Sequence, residues 1–288
     1  MELIYDLSTP VIMGILMGGL YALIALGLSL VFGVMKLINV AHGDLVVTGT
    51  YFAYACFTIM GLDPILSLIL GVPVMFVFGF AIQKFLMSRS FGVSMEAPLI
   101  IAFGLSLVLQ NLNQVLWTPL SRGLTTDYAF KSFNIGEVYI PLPYLLNFIA
   151  ALVVMLVLRT FLSKTYLGKA ISAASQNKRG ALLMGINPNR IYALTFAIAM
   201  ATAAVAGVFL GLTFPFTPTT GVSFLIISFG VIVVGGMGSM LGTFIGGMVL
   251  GLAQTLGGHF FGDAAQMLVA YLIVLVALTI RPQGLFSR

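Results

Sequence analysis

Charge is what this 288-residue sequence has least of. Lys, Arg, Asp and Glu make up 7% of it, against 60% hydrophobic residues, where a soluble domain carries about 25% charged residues. That shortage excludes a soluble fold. Bilayer rules replace core burial, and every backbone polar group at membrane depth needs an internal partner. The single cysteine, Cys56, excludes an intrachain disulfide. The two histidines, His42 and His259, are far apart, and with no HExxH and no cysteine pair there is no metal-ligand cluster. A GxSxG elbow is missing too. The nearest approach to a phosphate-binding loop, Gly168-Lys169-Ala170, lacks both the hydroxyl residue and the upstream glycine. No covalent chemistry, metal or cofactor is expected on this chain. The N-terminal MELIYD has no basic n-region, and the apolar run from Val11 to Val34 exceeds a signal-peptide core, so a retained span is expected.

What is present is a series of apolar segments, at 11–33, 42–60, 64–86, 97–117, 143–163, 190–213, 223–236, 240–256 and 264–280. They predict an all-α polytopic membrane protein of about 8–9 helical segments, a single integral domain over 1–288. A crossing needs about 20 residues, so 223–236 is too short and 240–256 marginal. That pair is either re-entrant or two short helices around a turn at Gly238. With the N-terminus periplasmic and the C-terminus cytoplasmic, Lys36, Lys84, Arg89, Arg159, Lys164, Lys169, Lys178, Arg179, Arg190, Arg281 and Arg288 fall inside. Only Arg122 and Lys131 then fall outside. The net charge of +5 therefore belongs to loops on one side of a bilayer and not to a nucleic-acid surface.

Glycine recurs at spacing four, in Gly14/Gly18, Gly207/Gly211, Gly238/Gly242/Gly246 and Gly247/Gly251, which lets helix backbones approach closely. The run GGMGSMLGTFIGG coincides with the short segments, so a broken helix lining a cavity is a second reading there. The long external loop 118–142, with Arg122, Asp127, Lys131 and Glu137, resembles no site. It is a partner contact surface or a solvated connection.

Two polar stripes stand out. In LINVAHGDLVVTGTYFAY, Asn39, His42 and Asp44 cluster at a helix start, and Thr48 and Tyr51 follow on the face of Asp44. A carboxylate at membrane depth costs at least ~2.5 kcal/mol, and a helix N-terminus offsets part of that. Ser106, Gln110 and Asn113 form a second stripe. Each stripe either lines a pathway or bonds neighbouring helices. The amide Gln254 stands alone, with no assignable role. Between two apolar segments lies the basic stretch 164–190, which contains no acid. Leu167 to Met184 reads as one helix with Ala170, Ile171, Ala174, Ala181 and Leu182 on one stripe, and Asn187-Pro188 as the cap of the next. It is a docking segment or an ordinary positive-inside loop.

Three ordered blocks resemble a known family. LYALIALGLSLVFGVMKLINVAHGDLVVTGTY (20–51), GKAISAASQNKRGALLMGINPNRIYALTFAIAMATAAVAGVFLG (168–211) and VVGGMGSMLGTFIGGMVLG (233–251) are similar to blocks of the LivH-type permeases, membrane subunits of branched-chain amino acid ABC importers, as is the RPQGLF end. Asp44 stands where that family usually has a glutamate, and Ser228 where it has a lysine. The resemblance implies an importer permease of the bacterial inner membrane, carrying leucine, isoleucine, valine or related small solutes such as urea or short amides. The implied partners are cytoplasmic ATP-binding subunits, where ATP and Mg²⁺ would bind, a second homologous permease and a periplasmic binding protein. Leu167, Gly168, Lys169, Gln176, Asn177, Gly185, Ile186 and Asn187 would then dock on an ATPase. Asn39, His42, Asp44, Thr48, Tyr51, Ser106, Gln110 and Asn113 would be pathway residues. An ion-coupled carrier or a channel acting without an ATPase is the alternative.

Overall fold

The computed structural model describes residues 2–91, 94, 96–135, 138–281 and 284. Glu137, Arg288 and Pro282, Gln283, Leu285 and Phe286 of the RPQGLF end lie outside them. In chain order the elements are α1 (Glu2–Met35), α2 (His42–Met60), α3 (Leu68–Ala81), α4 (Ala97–Trp117), β1 (Ser132–Ile135), β2 (Val138–Pro141) and α5 (Leu142–Lys164). There follow α6 (Tyr166–Gln176), α7 (Lys178–Leu183), α8 (Pro188–Thr213), α9 (Gly221–Gly235), α10 (Met240–Phe261) and α11 (Gln266–Ile280). Among the described residues seven helical spans are long and apolar enough to cross a membrane, with α3 continued through wider and then tighter helical turns to Arg89 and α11 begun by the turn at Asp263; α9 is shorter, and α2 is not among the seven.

Each expected apolar segment is helical, with two corrections and one addition. The marginal segment at 240–256 is a full helix of 22 residues, because it runs on through Gly257 and Gly258 to Phe261. The turn before it, where Gly238 adopts φ +88°, packs against Gly33 near the end of α1. The glycine run is thus a short turn at 236–239 between α9 and α10, followed by the first two turns of α10, where Gly242, Gly246 and Gly247 lie. Leu167–Met184 is two helices. Asn177 leaves the helical region (φ −147°) and caps α7, accepting from the Gly180 amide at 2.9 Å. The break rotates α7, so Ala170, Ile171, Ala174 and Ala181 are buried but Leu182 is 53% exposed. The addition is the hairpin β1–β2, paired antiparallel from Ser132–Pro141 to Ile135–Val138. Val138 and Ile140 form a small apolar cluster with Leu16.

Small residues set the helix crossings. Along α1 and α10, Gly14 meets Gly251, Gly18 meets Gly247 and Gly33 meets Gly238, so these helices run antiparallel with backbones in contact. A Cβ on Gly247 would come within 2.7 Å of the Gly18 oxygen and the Ala22 amide nitrogen. Along α2 and α8, Gly49 meets Ala204 and Gly207 meets Thr50, in parallel. These directions gather the C-terminal ends of α1, α3 and α5 and the N-terminal ends of α4 and α8 at one end of the bundle. Lys36, Lys84, Arg89, Lys164 and Arg190 are at that end and Arg122 at the other.

Candidate functional site

Helix α2 does not begin at an end of the bundle. The His42 ring, fully buried, pairs through Nε2 with the Ile24 carbonyl at 2.9 Å, deep within α1. It also lies beside Gly27, which faces Thr202 in the middle of α8. Residues 36–41 therefore climb back into the bundle before the helix starts. Asn39 shapes that entry: its Oδ1 accepts from the Ala41 amide at 3.2 Å, and its carbonyl accepts from the His42 amide at 3.1 Å. Helix α9 begins at the same depth. After α8 ends, 214–220 returns along α2, and Gly221 then meets Gly43 and Asp44 so closely that either glycine would clash if it carried a Cβ. Two helix N-termini thus converge in the interior, at a carboxylate.

The two polar stripes expected separately meet there. Asp44 Oδ2 accepts from Ser106 Oγ at 2.5 Å and from Gln110 Nε2 at 3.2 Å. About one turn further along, Asn113 Nδ2 donates to Thr48 Oγ1 at 3.3 Å. Asp44 is 2% exposed, its Oδ1 has no hydrogen-bond partner, and among the described residues no basic side chain pairs with it. Tyr51, on the same face of α2, buries its hydroxyl without a partner. His42 points away from this polar face, toward α1. His42 and Asp44 therefore form no pair.

At its far end this polar face meets an aromatic group of which the sequence had marked Tyr51 alone. The Tyr51 ring stacks on Trp117, with centroids 6.0 Å apart, and meets the buried Phe216 edge-on at 5.0 Å. Arg122 donates to the Tyr54 hydroxyl at 2.7 Å and to the Trp117 carbonyl at 2.7 Å, and its guanidinium lies 5.2 Å over the Tyr54 ring. The backbones of Arg122 and Phe216 exchange hydrogen bonds of 2.9 and 2.8 Å, and Leu124 donates to the Gly211 carbonyl. The loop read as a partner contact surface or a solvated connection is tied to the bundle at Arg122 and Leu124. Outside the membrane segments, Tyr128 donates to Asp63 Oδ1 at 3.1 Å, and burial, then Asp63, pushes its pKa up to about 12. Gln254, too, has a partner, accepting a buried hydrogen bond from the Tyr21 hydroxyl.

At the opposite end, α6 and α7 form a surface step. Thr165 caps α6 through the Gly168 amide, and Gly168 packs on Phe161 and Leu162. Asn187 caps α8 through the amides of Asn189 and Arg190. Leu167, Lys169, Gln176, Asn177, Gly185 and Asn187 are exposed and Ile186 is half-buried. Gly185 holds φ +77°, which a side chain would strain. Tyr166, Leu183 and Met184, 81%, 89% and 80% exposed, join them; the last two were missed in the sequence because a continuous helix hid the break. A cavity of about 410 Å³ beside them is lined by Lys178, Leu182, Gly185, Ile186, Asn187, Pro188 and Asn189.

Comparison with known proteins places this architecture. Residues 11–278 match a family described as the branched-chain amino acid transport system permease component. The chain is 34% identical to the high-affinity branched-chain amino acid transport system permease protein BraD of Pseudomonas aeruginosa, over 99% of this chain and 97% of that one. It is 30% identical to LivH, the corresponding permease of Escherichia coli K12, over 96% and 94% of the two chains. A solved structure, PsaBC from Streptococcus pneumoniae with a Fab, superposes with a TM-score of 0.52 at 14% identity, covering 95% of this chain and 92% of that one. That likeness bears on the fold alone. The chain belongs to the family of branched-chain amino acid transport system permease components.

Proposed function

We propose that this chain is a permease subunit of an ATP-binding-cassette importer for branched-chain amino acids in the bacterial cytoplasmic membrane. It does no covalent chemistry. The observation that carries this reading is the identity to BraD along almost the whole of both chains. In this reading the end holding α6 and α7 is cytoplasmic, which the concentration of Lys and Arg there supports. The exposed Tyr166, Leu183 and Met184 are an apolar patch that water does not favour, and a cytoplasmic ATP-binding subunit would cover it. The polar face between α2 and α4 is one wall of the solute pathway, and the Tyr51–Trp117–Phe216 group closes it on the periplasmic side. A homologous permease completes the pathway and a periplasmic binding protein delivers the solute. The motion is a two-state switch of the bundle, biased by nucleotide on the partner.

The test is uptake of radiolabelled leucine into proteoliposomes holding this chain with its ATP-binding, second-permease and binding-protein partners. Uptake is expected to require ATP and the binding protein, and to fall at least tenfold in Leu183→Glu while the chain still folds. Leucine movement by this chain alone without ATP would overturn the reading in favour of a carrier or channel.

A further inference from the structure

We propose that Asp44 is the ammonium subsite of the pathway, its unpartnered carboxylate oxygen, beside Gly221 at the start of α9, receiving the α-amino group of a zwitterionic solute. The proposal rests on the permease reading above and adds to it the group of the solute that is recognised and the residue that recognises it.

Three observations converge. First, the N-termini of α2 and α9 meet at Asp44 through the Gly43–Gly221 backbone contact. Helix N-termini carry partial positive charge and favour an anion. Here the chain's own carboxylate fills that position. What would otherwise be a subsite for a solute carboxylate becomes one for a cation. Second, the carboxylate is half satisfied. Ser106 and Gln110 of α4 donate to Oδ2, both as neutral groups, while Oδ1, which lies against Gly221 at the start of α9, has no partner although the residue is 2% exposed. Neutral donors stabilise a charge without cancelling it, and a buried charge without a counter-charge is costly. A solute ammonium supplies the missing charge while it is bound and removes it on leaving. Third, the polar run continues along the same face through Thr48 and Asn113 to the unpartnered Tyr51 hydroxyl. That gives the remainder of the solute polar contacts within reach of the first.

A proton or an inorganic cation could satisfy the same oxygen, so the experiment separates these sources from the solute. Complete importers carrying wild type, Asp44→Asn or Asp44→Glu are reconstituted, and assembly is checked by size exclusion. The kcat/KM for leucine is compared with that for 4-methylpentanoate, which is leucine without its amino group. The binding protein's own preference enters every complex equally and cancels from the change in that ratio. In Asp44→Asn the leucine KM should rise, and the leucine preference should shrink by about ten- to a hundredfold, as for one lost hydrogen bond to a charged group. Asp44→Glu, which keeps the carboxylate, should restore most of it. Should Asp44→Asn fail to assemble, Ser106→Ala carries the test, with a few-fold loss of the same preference expected. An unchanged preference in the variant that assembles would overturn the proposal. So would a defect that tracks the sodium or proton gradient and not the amino group. Wild-type importer without ATP-dependent uptake would overturn the permease reading first, and this inference with it.

Discussion

Helices α1 and α4 are both long apolar spans, yet they are held in opposite ways. The most apolar window of α1 is 72% buried and that of α4 only 22%. Helix α1 lies against α10 with backbones touching at Gly14–Gly251 and Gly18–Gly247. Helix α4 touches α2 along one narrow face, through Ser106, Gln110 and Asn113. Lipid tails are as apolar as leucine, so helices in a bilayer associate through close packing or through polar bonds and not by escaping water. The α1–α10 pair uses the first device and the α2–α4 pair the second. Glycine packing has one good arrangement and resists sliding. Hydrogen bonds to a shared carboxylate can be exchanged one at a time, including for bonds to a solute. The first pair suits a fixed frame, the second a wall that moves.

The largest effect should come from breaking the frame. Gly247→Leu places a side chain where the Gly18 oxygen and the Ala22 amide already lie within 2.7 Å of a Cβ. Overpacking of this kind costs about 3 kcal/mol, and the variant should melt well below wild type when heated and followed by fluorescence-detected size exclusion. Wild-type melting would refute the frame. A smaller loss is expected at the buried pair that also ties α1 to α10. Gln254→Leu strands the Tyr21 hydroxyl and should cost about 1–2 kcal/mol, with Tyr21→Phe in the same chain recovering part of it.

The α2–α4 pair, the moving wall of the proposed pathway, should respond differently. Asn113→Leu removes one bond, to Thr48, and should cost about 0.6 kcal/mol of stability, the average for a polar contact between membrane helices. Uptake should fall several-fold all the same. A variant that loses stability and uptake in proportion would place α4 in the frame and erase the contrast.

The frame was the more legible half. Glycines at spacing four name their own helix face, and the direction of packing follows from which glycines meet. The residue content of the wall was legible too, since Asp44/Thr48/Tyr51 and Ser106/Gln110/Asn113 each show helical spacing. Their pairing was not, because spacing within one helix carries no information about which helix it faces. Nor was the depth at which α2 begins. Residues 36–41 climb into the bundle on the strength of a hydrogen bond from His42 to a backbone carbonyl of α1, and any residue can offer a carbonyl. The aromatic cap escaped for a similar reason. Trp117 and Arg122 come from one stretch, but Tyr51 and Phe216, which they meet, come from two others far away in the sequence. The break at Asn177 had a local signal, an Asn three residues before Gly180 that caps α7, which the alanine-rich pattern around it outweighed.

The smallest effect tests how far the polar kind of attachment extends. The loop after α4 is tied to the turn before α3 by a bond from Tyr128 to Asp63. Burial first and the adjacent carboxylate second raise the Tyr128 pKa from 10.0 to about 12. The folded protein therefore holds this proton more tightly than the unfolded chain does. Its contribution to stability is complete below pH 10 and is lost as pH rises from 10 toward 12. Other tyrosines and lysines titrate in the same range, so the informative quantity is the difference between wild type and Tyr128→Phe. That difference should be flat from pH 7 to 9 and shrink above pH 10, because only the wild type has this proton to lose. If the two melting curves stay parallel to pH 12, the Tyr128–Asp63 bond holds nothing, and the loop is kept in place by Arg122 and Leu124 on the bundle alone.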